Sequence, residues 1–255
     1  MKEFKELYNT IAFLRSEQGC PWDRKQTLKS LKKYLIEEVF ELVDSISRDE
    51  TNDIIEEIGD LLLNLLMISV ILKEQKRATI EEILSKINKK IISRHSHVFG
   101  HKKVTTAEDV KLSWELHKKN VENKRTFDTI PHFAPALQKA FILSKKADKA
   151  GFGFKNIKEV QLKVIEEMQE LDEAIKNNDK KMIEHEIGDV LISIATLSLY
   201  LDINPEFALN KGCNRFIKRF EYIENELEKI GKNIFEVPRE EIEKLWEKSK
   251  LEINI

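Results

Sequence analysis

Apolar residues recur at helical intervals through Leu28, Leu31, Leu35, Val39, Leu42 and Ile46, with charged residues filling the positions between them. A stripe of that period marks an amphipathic helix, because neighbours on one helix face are three and four residues apart. It predicts a helix over residues 27–47. The same reading predicts helices over 3–18, 52–73, 79–94 and 107–121, then over 135–150, 157–176, 180–201, 205–230 and 239–251. Only eight glycines and five prolines punctuate the chain, and alternating strand patterns are scarce, so the expected fold is all-α. Apolar periodicity lapses over 121–135, where Pro131 and Pro135 cannot continue a helix. That places a linker at 123–134 between domains at 1–122 and 135–255. The turns at 48–51 and 177–179 are short enough to make the helices they join antiparallel neighbours.

The two halves share an acidic pattern. Glu37-Glu38-x-x-Glu41 followed by Glu57-x-x-Asp60 returns as Glu166-Glu167-x-x-Glu170 followed by Glu186-x-x-Asp189, at a constant offset of 129 residues. Residues three apart share a helix face, so each half directs four carboxylates from two antiparallel helices toward one place. Beside apolar runs such as 58–72 and 187–201, such charges repel one another and are costly to desolvate. A divalent cation removes the conflict, and all-oxygen donors suit a hard ion that binds carboxylates together with phosphate oxygens. A single ExxE is usually a solvated helix face; the duplicated pair of pairs points to metal. Gly59 and Gly188 recur inside the second acidic motif despite the cost of about 1 kcal/mol for glycine in a helix, which predicts close approach by a helix or ligand.

Composition narrows the function classes. A hydrophobic fraction of 41% supports a core in each half, and a net charge of −2 with intermixed signs argues against nucleic acid as the principal ligand. Cys20 and Cys213 lie in opposite halves without CxxC spacing, so neither a disulfide framework nor a thiolate zinc site is indicated. The longest apolar run is too short for a bilayer and contains Asp60 and Asn64. The first residues carry alternating charges instead of an apolar leader. A cytoplasmic protein fits these features.

Three functional readings follow: phosphate chemistry at metal sites, a noncatalytic helical interaction module with vestigial sites, and a di-iron oxidase. The oxidase needs ExxH ligand pairs. None of the six histidines has an acid three residues before it. His95, His97, His101 and His117 leave a weaker case for zinc. Trp22 and Asp23 read as a loop, with the tryptophan closing on a base or packing beside a capping aspartate.

The residues Gly19-Cys-Pro-Trp-Asp23, Leu35-Ile-Glu-Glu-Val-Phe-Glu41, Glu57-Ile-Gly-Asp60, Asn88-Lys-Lys90 and Arg94-His-Ser-His-Val-Phe-Gly100 resemble the MazG family of nucleoside triphosphate pyrophosphohydrolases. So do Lys163-Val-Ile-Glu-Glu-Met-Gln-Glu170, Glu186-Ile-Gly-Asp189, Asn204-Pro-Glu-Phe-Ala-Leu209, Arg215-Phe-Ile-Lys-Arg-Phe220 and Trp246. The resemblance covers nearly the whole chain, in tandem two-domain form. It implies helix-bundle cores related to all-α dUTPases and hydrolysis of nucleoside triphosphates, with broad base tolerance, to the monophosphate and pyrophosphate. The implied cofactor is Mg²⁺, with Mn²⁺ as the alternative ion.

By motif position the resemblance makes Glu38, Glu41, Glu57, Asp60, Glu167, Glu170, Glu186 and Asp189 metal ligands. It assigns catalysis to Glu166, Glu167 and Glu170, substrate contacts to Lys163, Arg215 and Arg219, and base stacking to Trp246. In the first half Asn88, Lys90 and Arg94 match the substrate-contact pattern, where the second half has Cys213 and Arg215. Conversely, Tyr34 stands four residues before the paired acid where the second half has Lys163, so each half departs from the pattern once. The C-terminal half is expected to carry the activity. Because each half offers only two acidic helices to its site, a homodimer is expected, as the resemblance also implies.

Overall fold

The computed structural model describes residues 2–100 and 125–253. The chain divides into two compact units, Met1–His117 and Lys118–Ile255. The described residues form α-helices, with one short 3₁₀ turn at Ile234–Glu236 and no strand. In the first unit these are α1 (Lys2–Leu14), α2 (Pro21–Lys25), α3 (Leu31–Arg48), α4 (Thr51–Glu74), α5 (Ile80–Arg94) and α6 (Ser96–Phe99). The second unit has α7 (Ala136–Lys149), α8 (Ile157–Lys176), α9 (Lys180–Tyr200), α10 (Pro205–Glu228) and α11 (Arg239–Glu252). The expected helix over 107–121 lies outside the described residues.

In the first unit α3 and α1 both pack on α4, around a core of Tyr8, Ile11, Leu31, Leu66, Met67, Val70 and Ile71. The second unit repeats this plan: α8 and α7 pack on α9, and α10 packs on α7 and α11. The tight turn between the acidic helices is also repeated. Asp49 and Asn178, 129 residues apart, both take a left-handed backbone, with φ of 58° and 53°; Asp and Asn tolerate that conformation better than other side chains.

Helix starts follow local chemistry. Thr79 and Glu82 form a reciprocal capping box at α5, and Asp179 Oδ1 accepts from the backbone of Lys181 and Met182 at α9. Asn204 caps α10 while its amide donates to Gln138 Oε1 at 3.0 Å, tying α10 to α7.

Three expectations are corrected. Helix α1 stops at Leu14 instead of continuing to residue 18: the chain folds back, and Cys20 N donates to Leu14 O at 2.7 Å. Gly19 makes this approach, for a Cβ there would lie 2.2 Å from Phe13 O. Helix α3 begins at Leu31, not residue 27, because Thr27 and Ser30 exchange side-chain bonds with each other's backbone N–H groups at 2.9 and 3.1 Å. Trp22 and Asp23 lie in the short helix α2, not a loop. Asp23 makes no side-chain cap there, and Trp22 is mostly exposed, meeting Tyr34 edge-on with ring centroids 6.0 Å apart.

Candidate functional site

Helical spacing sets each carboxylate on its face, and the packing of α3 on α4 and α8 on α9 brings the faces together. In the first unit, ligand atoms of Glu38, Glu41 and Glu57 lie within 4.8 Å of one another. In the second, the matching group is Glu167, Glu186 and Asp189, with Glu167 and Glu186 buried. The membership therefore differs: Asp60 falls outside the first group's span, and Glu170 outside the second's. Both stay within electrostatic range. Asp60 raises the Glu38 carboxyl, and Glu170 is itself raised by desolvation first and then by Glu167 and Glu186.

The first group carries uncompensated negative charge. Desolvation, then repulsion from Asp60, Glu41 and Glu57, pushes Glu38 above its ordinary value; Glu57 is raised by desolvation and then by Glu41 and Asp60. Against this, Asn64 Nδ2 donates to Glu38 Oε1 at 3.4 Å and to the Asp60 carbonyl at 3.2 Å. In the second group Lys163 Nζ lies 2.8 Å from Glu166 Oε1 and 2.8 Å from Glu167 Oε1. These bonds hold the ammonium well above its ordinary value. His185 Nε2 lies 3.3 Å from Asp189 Oδ2.

The donor set fits a hard divalent ion. Every ligand atom in both groups is a carboxylate oxygen, and Glu186 keeps a buried Oε2 with no hydrogen-bond partner. An unpaired buried carboxylate oxygen is costly, and a cation would satisfy it. No histidine joins either group among the described residues, and His101 and His117 lie outside them.

The remaining predicted residues sit apart along the helices. Arg215 and Arg219 are half-buried on α10, and neither forms an ion pair among the described residues. Trp246 on α11 packs against Phe216 at 5.0 Å between ring centroids, with the Arg219 guanidinium 5.8 Å from its ring. Asn88 and Lys90 are exposed on α5, and Arg94 is half-buried at its end. Glu37 and Glu166 are exposed beside their groups. Gly59 and Gly188 have no close neighbour: a Cβ at either would meet nothing within 4 Å. The predicted close approach is not made within the chain's described residues.

Asn64 and His185, which contact Glu38 and Asp189 without joining the groups, were not anticipated from the sequence. Their signal was present, since Asn64 follows Asp60 by four residues and His185 precedes Asp189 by four, which puts each pair on one helix face.

The MazG nucleotide pyrophosphohydrolase domain model matches the chain twice, at residues 26–99 and 155–225. Each match spans one acidic group. The chain is 40% identical over 252 residues to the nucleoside triphosphate pyrophosphohydrolase/pyrophosphatase MazG of Thermotoga maritima, covering 97% of this chain and 95% of that protein. It is 30% identical over 257 residues to a nucleoside triphosphate pyrophosphohydrolase of Escherichia coli K12, covering 98% of each. A Bacillus subtilis protein, YabN, is 36% identical over 97% of this chain, which spans 52% of its length.

Proposed function

The chain belongs to the MazG family, and from that premise we propose that it hydrolyses nucleoside triphosphates to the monophosphate and pyrophosphate, using Mg²⁺ or Mn²⁺ at the second unit. The observation that carries this reading is the group of Glu167, Glu186 and Asp189, with ligand atoms within 4.8 Å and one buried Glu186 oxygen left without a partner.

Glu167, Glu186 and Asp189 would hold the ion, with Glu170 beside them; when bound, it would neutralise charge on the triphosphate and make water more acidic. Glu166 or Glu167 takes the water's proton through a carboxylate oxygen that holds no ion. As water adds to phosphorus, the anhydride bond between the α and β phosphates breaks and pyrophosphate leaves. Lys163, Arg215 and Arg219 bind the phosphate oxygens; the absence of ion-pair partners for the two arginines among the described residues supports that role. Trp246 offers a stacking face, which is tolerant of base identity because every base has a π face.

The first unit's Glu38, Glu41, Glu57 and Asp60 would hold a second ion, in the unit that also carries Asn88, Lys90 and Arg94. With Tyr34 in place of the lysine, that unit is the weaker candidate for turnover. A homodimer completes both sites. Its support is the wide apolar surface on the acidic helices, including Ile36, Phe40, Ile58 and Leu65 in one unit and Ile165, Met168, Ile187 and Leu191 in the other. Among the described residues no helix is long and apolar enough to cross a membrane, and the residues favour a cytoplasmic enzyme.

The test is product analysis on ribo- and deoxynucleoside triphosphates with Mg²⁺, comparing wild type with Glu41→Gln and Glu170→Gln. Monophosphate and pyrophosphate from wild type, lost in Glu170→Gln and kept in Glu41→Gln, are expected. No cleavage of any substrate would leave the interaction-module reading in its place.

A further inference from the structure

The two units differ most in what neutralises the paired acids. In the second unit Lys163 bridges Glu166 and Glu167, at 2.8 Å from each. The Glu167 side chain is only 9% exposed, so this pair is less screened than a surface pair. In the first unit Tyr34 occupies the corresponding place, four residues before Glu38. Its ring meets Trp22 at 6.0 Å and the Lys33 ammonium at 4.4 Å, not a carboxylate. Glu38 receives a neutral amide from Asn64 instead. Among the described residues no ion pair reaches Glu38, Glu41, Glu57 or Asp60.

A cation arriving at the second unit therefore competes with a built-in ammonium for Glu167, whereas one arriving at the first unit meets bare carboxylates. We propose that Lys163 is an internal counter-ion that holds down the second unit's affinity for free divalent cations until a triphosphate draws the ammonium away, while the first unit binds its cation without nucleotide. Metal loading and substrate binding are thereby coupled in the second unit and uncoupled in the first. Reciprocity requires the coupling to run both ways: the cation strengthens triphosphate binding in the second unit as much as triphosphate strengthens cation binding. This inference rests on the metal-site reading above and assigns Lys163 a positioning role through Glu167 in addition to phosphate contact.

The test is equilibrium Mn²⁺ binding to the full chain without nucleotide, reading free Mn²⁺ by electron paramagnetic resonance. Glu41→Gln and Glu170→Gln assign the two binding classes to their units. Wild type is expected to show a tighter class belonging to the first unit and a weaker one belonging to the second. Lys163→Met should tighten the weaker class by roughly three- to tenfold, the scale of a partly buried ion pair. Tyr34→Lys should weaken the tighter class comparably, and this reciprocal variant leaves the second unit untouched. An unchanged or weakened second-unit class in Lys163→Met overturns the proposal, as does a wild-type second unit that binds the more tightly. If pyrophosphate release persists alongside either of those results, the counter-ion idea alone fails. If wild type binds no Mn²⁺ in either unit, the metal-site reading fails with it.

Discussion

Asn64 Nδ2 donates to Glu38 Oε1 across 3.4 Å, joining α4 to α3 beside the first acidic group. The amide is the side-chain donor available to a carboxyl that desolvation and three acidic neighbours otherwise destabilise in its charged form. The raised Glu38 and Glu57 carboxyls make the metal-free fold bind protons more tightly than the unfolded chain does. Their contribution to stability is therefore most favourable below the ordinary value of 4.5 and is lost as pH rises through the higher folded values. In chelator at neutral pH, Glu38→Gln should raise the melting temperature by roughly 2 to 4 °C. The gain should vanish near pH 4 and reverse when Mg²⁺ is added, because wild type then gains a ligand the variant has lost. Thermal melts across pH, with and without metal, check all three outcomes.

The buried Glu186 carboxylate in the second unit gives the opposite test. Glu186→Gln should lower pyrophosphate release by at least about 100-fold, beyond the range seen when merely supporting groups around a metal are removed. Asp189→Asn should act in the same direction. Steady-state kinetics with titrated Mg²⁺ would check this; a variant rescued fully by excess metal would show that Glu186 tunes affinity without being needed for turnover.

Arg15 locks the first unit. Its side chain is 6% exposed and forms a two-pronged pair with Glu74, at 2.9 and 2.7 Å, and its Nη1 donates to the carbonyls of Asp23 and Gln26 at 2.6 and 3.1 Å. It thus holds the residues around α2 against the end of α4. Arg15→Met would orphan two carbonyls and one carboxylate, costing about 2 to 4 kcal/mol. Denaturant unfolding should register that loss, with Glu74→Gln milder because its side chain is partly exposed.

Leu65 and Leu191 stand 51% and 52% exposed on α4 and α9, within the apolar surface of the acidic helices. A dimer that covers these surfaces should be seen by light scattering for the wild type. The double variant Leu65→Glu/Leu191→Glu should shift the mass to that of a monomer, since a charge buried without a partner in an interface costs several kcal/mol. A monomeric wild type would remove the dimer from the proposed function.

Much of the helical order was legible from periodicity alone. The helix starts expected at 135, 180 and 205 lie within one residue of the observed starts of α7, α9 and α10. The start of α3 was not, because the Thr27–Ser30 exchange replaces helical backbone bonds with side-chain ones that periodicity does not register. Helix α2 escaped for a similar reason: five residues carry too few apolar positions to show a period. Gly59 and Gly188 suggested a close approach that their own units do not supply.

By itself the sequence determined that the chain is helical, that it repeats at an offset of 129 residues, and that each repeat points acidic residues along facing sides of two joined helices. These follow from backbone periodicity, which is local. Only the tertiary structure decided that ligand atoms of Glu41 converge in one unit and those of Asp189 in the other, and that Arg15 meets Glu74, 59 positions further along the chain. It likewise decided that Lys163 turns onto both Glu166 and Glu167 while Tyr34 turns toward Trp22. Side-chain rotamers and the packing of one helix on another set these differences, and both depend on neighbours distant in the chain.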